Sequence, residues 1–276
     1  MRYIPIEKTE QDMILARSVY DNTGRVLLSC GTVLTDEYID KLYERGLPGI
    51  YIEDKLAEDI EIEEAISEEL RNEGAEALRN GDVDAAMSVG RRIVDEIIQN
   101  PRVTLDLIDL RSYDDYTYRH SVNVAVISTV IGINMQLNRL ALDELSIAAI
   151  LHDIGKRRID PKIINKKGKL TPEEYTEVKR HSEYGYEMVK SRIDLSAKIK
   201  NAILLHHENE DGSGYPKGLK GNQIFIYAKI IHVADVFDAL TAKRPYKKAY
   251  AQSEAAEYLM GSCDRMFDRE VVKAFL

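Results

Sequence analysis

At 276 residues, with 44% hydrophobic and 31% charged residues, the chain is long enough for one large core or for one large and one small core, and its composition is that of a globular protein rather than a disordered one. The net charge of -9 argues against a long nucleic acid as partner, because such binding depends on neutralising many phosphates. The chain has no apolar run of about eighteen residues and no apolar signal region at its N-terminus, so neither a membrane partner nor secretion is expected.

Residues 1–55 are predicted to form a small β-rich module. The segment SVYDNTGRVLLS is typical of two short strands around an Asn-Thr-Gly turn, in which Gly24 supplies the positive φ. The segment TDEYIDKLYERG predicts a short helix with Thr35 as its N-cap and Gly46 just past its end, and GIYIED predicts a closing strand.

Residues 56–100 are predicted to be connecting helices. The first part is acidic and loosely periodic, with Ile66 and Leu70 at helical spacing. Asp82 then begins a better helix, whose apolar face continues until Pro101 ends it.

Residues 101–276 are predicted to form an α-helical domain with a few long loops. Apolar positions at three- and four-residue spacing indicate helices over Asp143–Asp153, Pro172–Lys190 and Ser196–His206. The fold class is therefore α+β overall: a mainly all-α domain preceded by a small β-rich module. Cys30 and Cys263 lie far apart without metal-binding spacing, which is typical of a reducing compartment and predicts a cytoplasmic protein.

Five of the six histidines end or cross apolar helices in this helical domain: His120, His152, His181, His206 and His207. One histidine on an apolar helix is usually a hydrogen-bonded core residue. A dinuclear metal site, however, requires several N or O ligands for each ion and a bridging carboxylate, and a helical bundle can supply one or two ligands from each helix. At this point the pair His152 and Asp153 is open between a satisfied core contact and a ligand pair.

Five motifs occur in order along this domain: YTYRHSVNVA, LHDIGK, VKRHSEYGYEM, LHHENEDGSGYPKGL and HVADVFDALTAKRPYKKAY. Together they resemble the HD-GYP domain, the helical branch of the HD phosphohydrolases that hydrolyses cyclic di-GMP. The resemblance extends from about residue 101 to the C-terminus. The first 55 residues more weakly resemble the small domain that often precedes HD-GYP domains, for which we predict a packing or homodimerisation role.

The resemblance implies two divalent metal ions, with iron or manganese as candidates. It implies that the ligands of the first ion are His120, His152, Asp153 and Asp235, and those of the second His181, His206 and His207, with Asp153 bridging the two. The sixth histidine, His232, falls outside this pattern. Some members hold a third metal through an acidic residue one turn before the first histidine; here that position is Tyr116, so two metals are expected unless Asp115 reaches the site.

The same resemblance implies a reaction and its substrate contacts. A hydroxide shared by the two ions would attack phosphorus and open cyclic di-GMP to pGpG, with GMP as a further product left open. Lys156 would contact a phosphate and assist catalysis, and Arg244 and Lys247 would bind the second phosphate. The segment Gly214, Tyr215 and Pro216 would form a rigid flap beside the substrate, which also faces a protein partner.

Other functions remain open from the sequence. One alternative is an HD hydrolase that acts on another cyclic dinucleotide. A second is a sensor of cyclic di-GMP, or a partner-docking protein, with little turnover. A third is oxidation at a di-iron site. The intact set of seven metal-ligand candidates favours the phosphodiesterase.

Overall fold

The computed structural model describes residues 1–20, 26–45, 47, 49–54, 65–99, 116–166, 168–242 and 250–276. The chain divides into two compact units, residues 1–64 with 102–116 and residues 65–101 with 117–276. The predicted Asn-Thr-Gly turn, Gly46 and Pro101 lie outside the described residues.

In its described residues, the N-terminal unit combines two short antiparallel strand pairs with one α-helix and a 3-10 turn, Ile6–Lys8. Strand β1 (Arg2–Pro5) pairs with β4 (Gly49–Ile52), and β2 (Val19–Tyr20) pairs with β3 (Val26–Leu28). Helix α1 (Asp36–Glu44) begins where the Thr35 side chain accepts a hydrogen bond from the Tyr38 N–H, as predicted. Strand β1 was not predicted, because only its partner β4, far along the chain, identifies it as a strand.

In its described residues, the second unit consists of helices joined by turns and loops, with an isolated bridge between Cys263 and Phe267. Its helices are α2 (Glu68–Asn80), α3 (Val83–Gln99), α4 (Tyr116–Asn134), α5 (Arg139–Leu151), α6 (Pro161–Ile164), α7 (Pro172–Lys179), α8 (His181–Val189), α9 (Ala197–Leu205), α10 (Ile226–Thr241), α11 (Gln252–Gly261) and α12 (Arg269–Phe275). A short 3-10 helix, Ile154–Arg158, follows α5. The predicted fold class, a helical domain with a small β-rich module, is confirmed.

Helices α2 and α3 belong to the core of the helical unit. Helix α3 packs against both α2 and α5, and its apolar face, which includes Val89 and Ile93, is fully buried. The sequence interpretation treats residues 56–100 as connecting helices, whereas the structure groups residues 65–101 with the helical unit. An amphipathic helix gains most of its stability by burying its apolar face. For α3, helix α5 provides the surface against which that face is buried.

Helices α5 and α9 end two residues and one residue earlier than predicted, each directly before a histidine. Helix α5 ends at Leu151, and the predicted helix Pro172–Lys190 divides at Arg180 into α7 and α8. At the division, Nδ1 of His181 lies 2.7 Å from the carbonyl oxygen of Val178. In a continuous helix that carbonyl would accept the N–H of Ser182, so the histidine side chain replaces a backbone hydrogen bond. Among the described helices, none has both the length and the apolar character that crossing a bilayer requires.

Candidate metal centre

Five helical segments bring histidines and carboxylates to one buried centre. His120 lies in the second turn of α4, while His152 and Asp153 lie in the turn between α5 and the 3-10 helix. His181 begins α8, His206 and His207 follow α9, and Asp235 lies inside α10. All seven candidate metal ligands predicted from the sequence are therefore described, and all lie in the helical unit.

The first group consists of His120, His152 and Asp153, whose ligand atoms lie within 4.8 Å of one another. Nε2 of His152 is 3.4 Å from Oδ2 of Asp153, and Nε2 of His120 is 3.8 Å from the same oxygen. Oδ1 of Asp235 lies 3.0 Å from Nε2 of His120, so a second carboxylate faces the group. This set of two imidazoles and two carboxylates is a donor set that divalent transition metals accept.

The second group consists of His181, His206 and His207, again with ligand atoms within 4.8 Å of one another. Nε2 of His181 is 3.2 Å from Nε2 of His206 and 3.1 Å from Nε2 of His207. The same nitrogen is 3.3 Å from Oδ1 of Asp153. Asp153 thus presents Oδ2 to the first group and Oδ1 to the second.

The hydrogen bonds of the imidazole rings show that the residues fit divalent ions. Nδ1 of His152, His181 and His206 lies 2.7, 2.7 and 2.8 Å from the carbonyl oxygen three residues earlier in the chain. A carbonyl only accepts, so each Nδ1 carries the proton and each Nε2 of a neutral ring offers a lone pair towards the centre.

Two of the atoms that face the centre have no hydrogen-bond partner of their own. Nε2 of His152 and Oδ1 of Asp153 are buried and make no hydrogen bond with any described residue. Buried lone pairs that face one another are unfavourable unless a cation lies between them. The arrangement therefore fits metal ions on both sides of Asp153.

Burial sets the charge state of the second group. Burial lowers the pKa of His206 and of His207 well below the usual value, and neighbouring histidines lower the pKa of His206 further. Burial also lowers the pKa of His181, although the charge of Asp153 opposes this change. All three rings are therefore neutral near pH 7, which is the form that binds metal.

The carboxylates remain ionised despite burial. Burial alone would raise the pKa of Asp153, but the charge of Lys156 holds that pKa well below its usual value. Burial would likewise raise the pKa of Asp235, but a hydrogen bond from His120 holds it well below the usual range. For His120, burial lowers the pKa, and the hydrogen bonds with Asp235 and Asp238 outweigh burial and raise it to about 9. His120 accordingly lies between two carboxylates that attract positive charge.

Lys156 lies in the 3-10 helix, one turn after Asp153, rather than on a continuation of α5. Its ammonium donates a hydrogen bond to Oδ2 of Asp153, and its side chain is 28% exposed. Gly155, directly before it, is required by packing, since a Cβ there would overlap the backbone carbonyl oxygen of His181. This close contact between the 3-10 helix and α8 brings Asp153 to His181.

A cavity of about 280 Å³ opens beside Asp153 and Lys156. Apolar residues form much of its wall, and a few polar side chains lie among them. The wall residues are Leu78, Tyr118, Ser121, Asp153, Ile154, Lys156, Arg157, Ile159, Pro161, Ile164 and Asn165. A cavity with apolar walls and a few polar groups at a cluster of ionisable residues is typical of a small-molecule site.

The predicted flap packs directly on the second group. The Tyr215 ring is stacked on His207, with ring centroids 4.7 Å apart and 27° between the planes, and a cis peptide bond joins Tyr215 to Pro216. Gly214 allows the loop to approach closely, because a Cβ there would overlap the backbone of residues 207–209. Oε1 and Oε2 of Glu208 accept the N–H groups of Lys217 and Leu219 at 2.6 and 2.9 Å and hold the far side of the loop.

The sixth histidine lies outside the centre, and some predicted site residues cannot be placed. His232 is outside it, as predicted: its Nδ1 is 2.9 Å from the carbonyl oxygen of Glu208, and its ring packs edge-on against Phe267. Arg244, Lys247, Asp114 and Asp115 lie outside the described residues, as does the side chain of Tyr116. The predicted second phosphate contact and the predicted absence of a third metal therefore stay predictions.

Two polar residues beside the first group were missed from the sequence. Asp238 lies one turn after Asp235 in α10, and Asn123 lies one turn after His120 in α4; each is 3% exposed. Oδ2 of Asp238 is 2.7 Å from Nδ1 of His120, and Nδ2 of Asn123 donates to Oδ1 of Asp238 at 3.0 Å. The available signal was a polar residue three positions after a ligand in an otherwise apolar helix.

Several known proteins are similar to this chain in sequence. A family described as HD domain matches residues 102–271. Cyclic di-GMP phosphodiesterase PA4108 of Pseudomonas aeruginosa is 39% identical over 188 residues, which are 67% of this chain and 45% of that protein. The cyclic di-GMP phosphodiesterase of Thermotoga maritima is 39% identical over 178 residues, which are 62% of this chain and 48% of that protein. The 3'3'-cGAMP-specific phosphodiesterase 2 of Vibrio cholerae is 41% identical over 135 residues, which are 49% of this chain and 26% of that protein.

The solved structure of Bd1817, a HDG"Y"P protein from Bdellovibrio bacteriovorus, matches with a TM-score of 0.64 over 99% of this chain and 97% of that chain. At 19% identity this likeness shows the fold alone. This chain spans about half the length of the cyclic di-GMP phosphodiesterases that it matches.

A helical fold that collects five histidines and two carboxylates at one buried centre defines a class of metal-binding helical proteins. Within that class, the match over residues 102–271 shows that the chain belongs to the HD domain family, whose phosphohydrolases bind divalent metals. The resemblance to the HD-GYP branch of this family is confirmed.

Proposed function

We propose that this chain is a phosphodiesterase that hydrolyses cyclic di-GMP to pGpG with two divalent metal ions. The observation that carries the proposal is the placement of Asp153, whose two carboxylate oxygens face two separate groups of histidines at 3.3 to 3.8 Å. A carboxylate in that position can bridge two ions. The relatives named cyclic di-GMP phosphodiesterases support the same reaction.

We assign His120, His152, Asp153 and Asp235 to one ion, and His181, His206, His207 and Asp153 to the other. Neutral imidazoles and carboxylates are ligands that iron and manganese accept, and these are the ions to test first. When bound, two such ions lower the pKa of a shared water and offset the negative charge that develops on the phosphate.

The side chains around the ions would bind and orient the substrate. Lys156 donates to Asp153 and lines the same cavity, so its ammonium can transfer its hydrogen bond from the carboxylate to a phosphate oxygen. Tyr215, half-buried and stacked on His207, would cover the second group together with Gly214 and Pro216. Arg244 and Lys247 remain our predicted ligands of the second phosphate.

The cavity beside Asp153 sets how much of the substrate can be enclosed. Its volume of about 280 Å³ lies at the lower end of small-molecule sites, which hold roughly 300 Å³ or more. We expect it to take one nucleoside of a cyclic dinucleotide while the phosphate lies at Asp153. The second nucleoside would then stay outside this cavity.

The test is hydrolysis by the metal-stripped protein reloaded with Mn²⁺ or Fe²⁺. Cyclic di-GMP is added and products are separated by chromatography, with Asp153→Ala as the inactive control. Metal-dependent appearance of pGpG is expected, and GMP as a later product would show that pGpG is also cut. Tight binding of cyclic di-GMP without turnover under every metal would contradict the proposal and favour the sensor.

A second candidate substrate is 3'3'-cGAMP. The observation that favours it is the 41% identity with a relative named as specific for this dinucleotide, over 49% of this chain. The same assay, run with both substrates at equal concentration, distinguishes the two. A kcat/KM for cGAMP more than tenfold above that for cyclic di-GMP would replace the proposed substrate and leave the proposed metal chemistry in place.

We further propose that residues 101–276 form the catalytic domain, that α2 and α3 complete its core, and that residues 1–55 are a packing or dimerisation module. The contact between α3 and α5 supports the second of these. A protein partner would contact the loop at Tyr215.

A further inference from the structure

Helix α2 contains an arginine that is almost completely buried. Arg71 is 3% exposed; its Nε donates to Oε2 of Glu68 at 3.0 Å, and one terminal nitrogen donates to Oδ1 of Asn123 in α4, also at 3.0 Å. A buried guanidinium is costly unless its hydrogen bonds are made, so its position is strongly determined by these two partners. Arg71 therefore connects α2 to the turn of α4 that follows His120.

The hydrogen bonds continue from Asn123 to a metal-ligand candidate. Nδ2 of Asn123 donates to Oδ1 of Asp238, and Oδ2 of Asp238 lies 2.7 Å from Nδ1 of His120. Arg71 only donates and a carboxylate only accepts, so the Asn123 amide has a single orientation that satisfies both neighbours. The result is a buried chain of three hydrogen bonds that begins in α2, passes through α4 and α10, and ends on the His120 ring.

The last of these hydrogen bonds, between Asp238 and His120, determines which ring nitrogen of His120 faces an ion. With Nδ1 donating to Asp238, the ring presents Nε2 to the side where Asp153 and Asp235 lie. Hydrogen bonds of this kind hold the tautomer and the angle of a metal-binding histidine. His152, His181 and His206 obtain the same effect from backbone carbonyls, whereas His120 depends on three side chains from other positions of the chain.

We infer that Arg71, acting through Asn123 and Asp238, is a positioning residue for the first metal group. The inference rests on the proposed metal site, but not on turnover of any substrate. Loss of Arg71 removes the donor to Oδ1 of Asn123, so the Asn123 amide, Asp238 and the His120 ring are held in place by one hydrogen bond fewer. The ion held by His120 is then bound more weakly, while the ion of the second group is bound as before.

The protein contains a matched control for Arg71, namely Arg119. This arginine is 8% exposed; it donates to the other oxygen of the same Glu68 at 2.9 Å and to the side chain of Asn72, and among the described residues it makes no hydrogen bond with Asn123. Arg71→Met and Arg119→Met each remove a buried guanidinium from Glu68. They differ in whether the chain of hydrogen bonds to His120 is cut.

The experiment is titration of the full-length, metal-free protein with Mn²⁺, followed by calorimetry and by electron paramagnetic resonance. For Arg71→Met we expect a 10- to 100-fold weaker affinity at one of the two sites and a changed spectrum at that site, as expected when an outer partner of a metal ligand is lost. For Arg119→Met we expect both affinities to match those of the unaltered protein. Arg71→Lys should restore most of the affinity, because an ammonium can still donate to Asn123.

Unfolding by urea is measured in parallel, and Asn123→Ser serves as a second variant if Arg71→Met does not fold. Equal Mn²⁺ affinities in Arg71→Met and Arg119→Met, at equal loss of stability, would show that Arg71 has only a structural role and would overturn the inference. Loss of hydrolysis of every substrate by the unaltered protein would contradict the proposed function, yet the Mn²⁺ titration would still decide this inference.

Discussion

The two groups of the metal centre differ in how their imidazole rings are held, because only the first contains a ring, that of His120, whose Nδ1 is held by a distant side chain. In the second group, the rings of His181 and His206 are held by carbonyls of their own helix ends, three residues earlier. In the first group, the His120 ring is held by Asp238, which belongs to α10 and lies 118 residues away in the chain. A ligand held by its own helix turn requires only that the helix ends there, whereas one held by a distant carboxylate requires that several helices pack correctly.

The difference shows where the centre can be adjusted. The carbonyls that orient His152, His181 and His206 cannot be changed by substituting a side chain. The partners of His120 can be, because Asp238, Asn123 and Arg71 are all side chains. The first group is therefore the half of the centre in which a substitution outside the ligands should alter metal affinity most.

The largest effect on the metal centre is expected from Asp153→Asn, because Asp153 is the residue that both groups share. An amide keeps the shape but loses the charge that faces both sets of histidines, so both ions should bind weakly. Hydrolysis should fall by about 10³-fold, the upper range for loss of one electrostatic contact at a reaction centre. Metal content after dialysis and the rate with cyclic di-GMP measure the two effects.

Asp160→Asn is the control for this substitution. Asp160 is exposed and caps α6 through the N–H of Lys162, a role that asparagine also fills. It should keep full metal content. Loss of only one ion from Asp153→Asn would show that Asp153 serves one group and does not bridge.

Gly155→Ala tests the packing that joins the two groups. The added Cβ would overlap the backbone carbonyl of His181, so the 3-10 helix would have to move away from α8. We expect a loss of about 3 kcal/mol in the free energy of unfolding, the upper range for overpacking, measured by urea denaturation. Gly168→Ala, where no atom lies within 4 Å of the new Cβ, should change stability by no more than about 1 kcal/mol.

The next prediction concerns the ion pairs that Lys229 makes with the loop after the second group and with the start of α12. Nζ of Lys229 lies 2.6 Å from a carboxylate oxygen of Glu210 in this loop and 2.8 Å from Oδ2 of Asp268, the N-cap of α12. Lys229→Met should lower stability at pH 7 by about 1 to 2 kcal/mol, between the values for exposed and buried pairs. The exposed pair of Lys273 with Glu270 provides the control, and Lys273→Met should have little effect.

The pH dependence of the Lys229 effect follows from the pKa directions. Burial raises the pKa of Asp268, but Lys229 outweighs burial and lowers that pKa. The contribution of Asp268 to stability is therefore present above the unfolded pKa of about 3.9, and it is lost as the pH falls through the lower folded pKa. For Lys229, burial lowers the pKa, but Asp268 and Glu210 outweigh burial and raise it, so its contribution is lost only as pH rises beyond about 10.4. The difference in the free energy of unfolding between Lys229→Met and the unaltered protein should be constant from about pH 5 to 9 and should become smaller in acid. A difference unchanged at pH 2 would contradict the ion pairs.

The smallest expected effect is on the Tyr215 ring. Its stacking on His207 should contribute about 0.5 to 1.5 kcal/mol. Tyr215→Leu should therefore weaken Mn²⁺ binding at the second group by about threefold to tenfold, and Tyr215→Phe should leave it unchanged because the ring remains. Weaker binding in both variants would point to the hydroxyl instead of the stacked ring.

Much of the fold and of the centre could be predicted from the sequence. The helical domain, the β-rich module and helix α1 with its Thr35 cap follow from local patterns, and these were confirmed. The division at Arg180 was missed, because apolar spacing continues across it while the histidine side chain takes the carbonyl that the helix would need. Strand β1 was missed because it is defined by pairing with residues almost 50 positions later.

Residue type and position by themselves determined which groups can bind metal: five histidines and two aspartates at helix ends or inside helices, in an order that matches the HD-GYP motifs. Those properties are local and can be read along the chain. The tertiary structure alone decided which oxygen of Asp153 faces which group, and that Arg71, Asn123 and Asp238 lie in line with His120. Such contacts depend on how α2, α4 and α10 pack and on the rotamers that packing permits, and no spacing within a single helix specifies them.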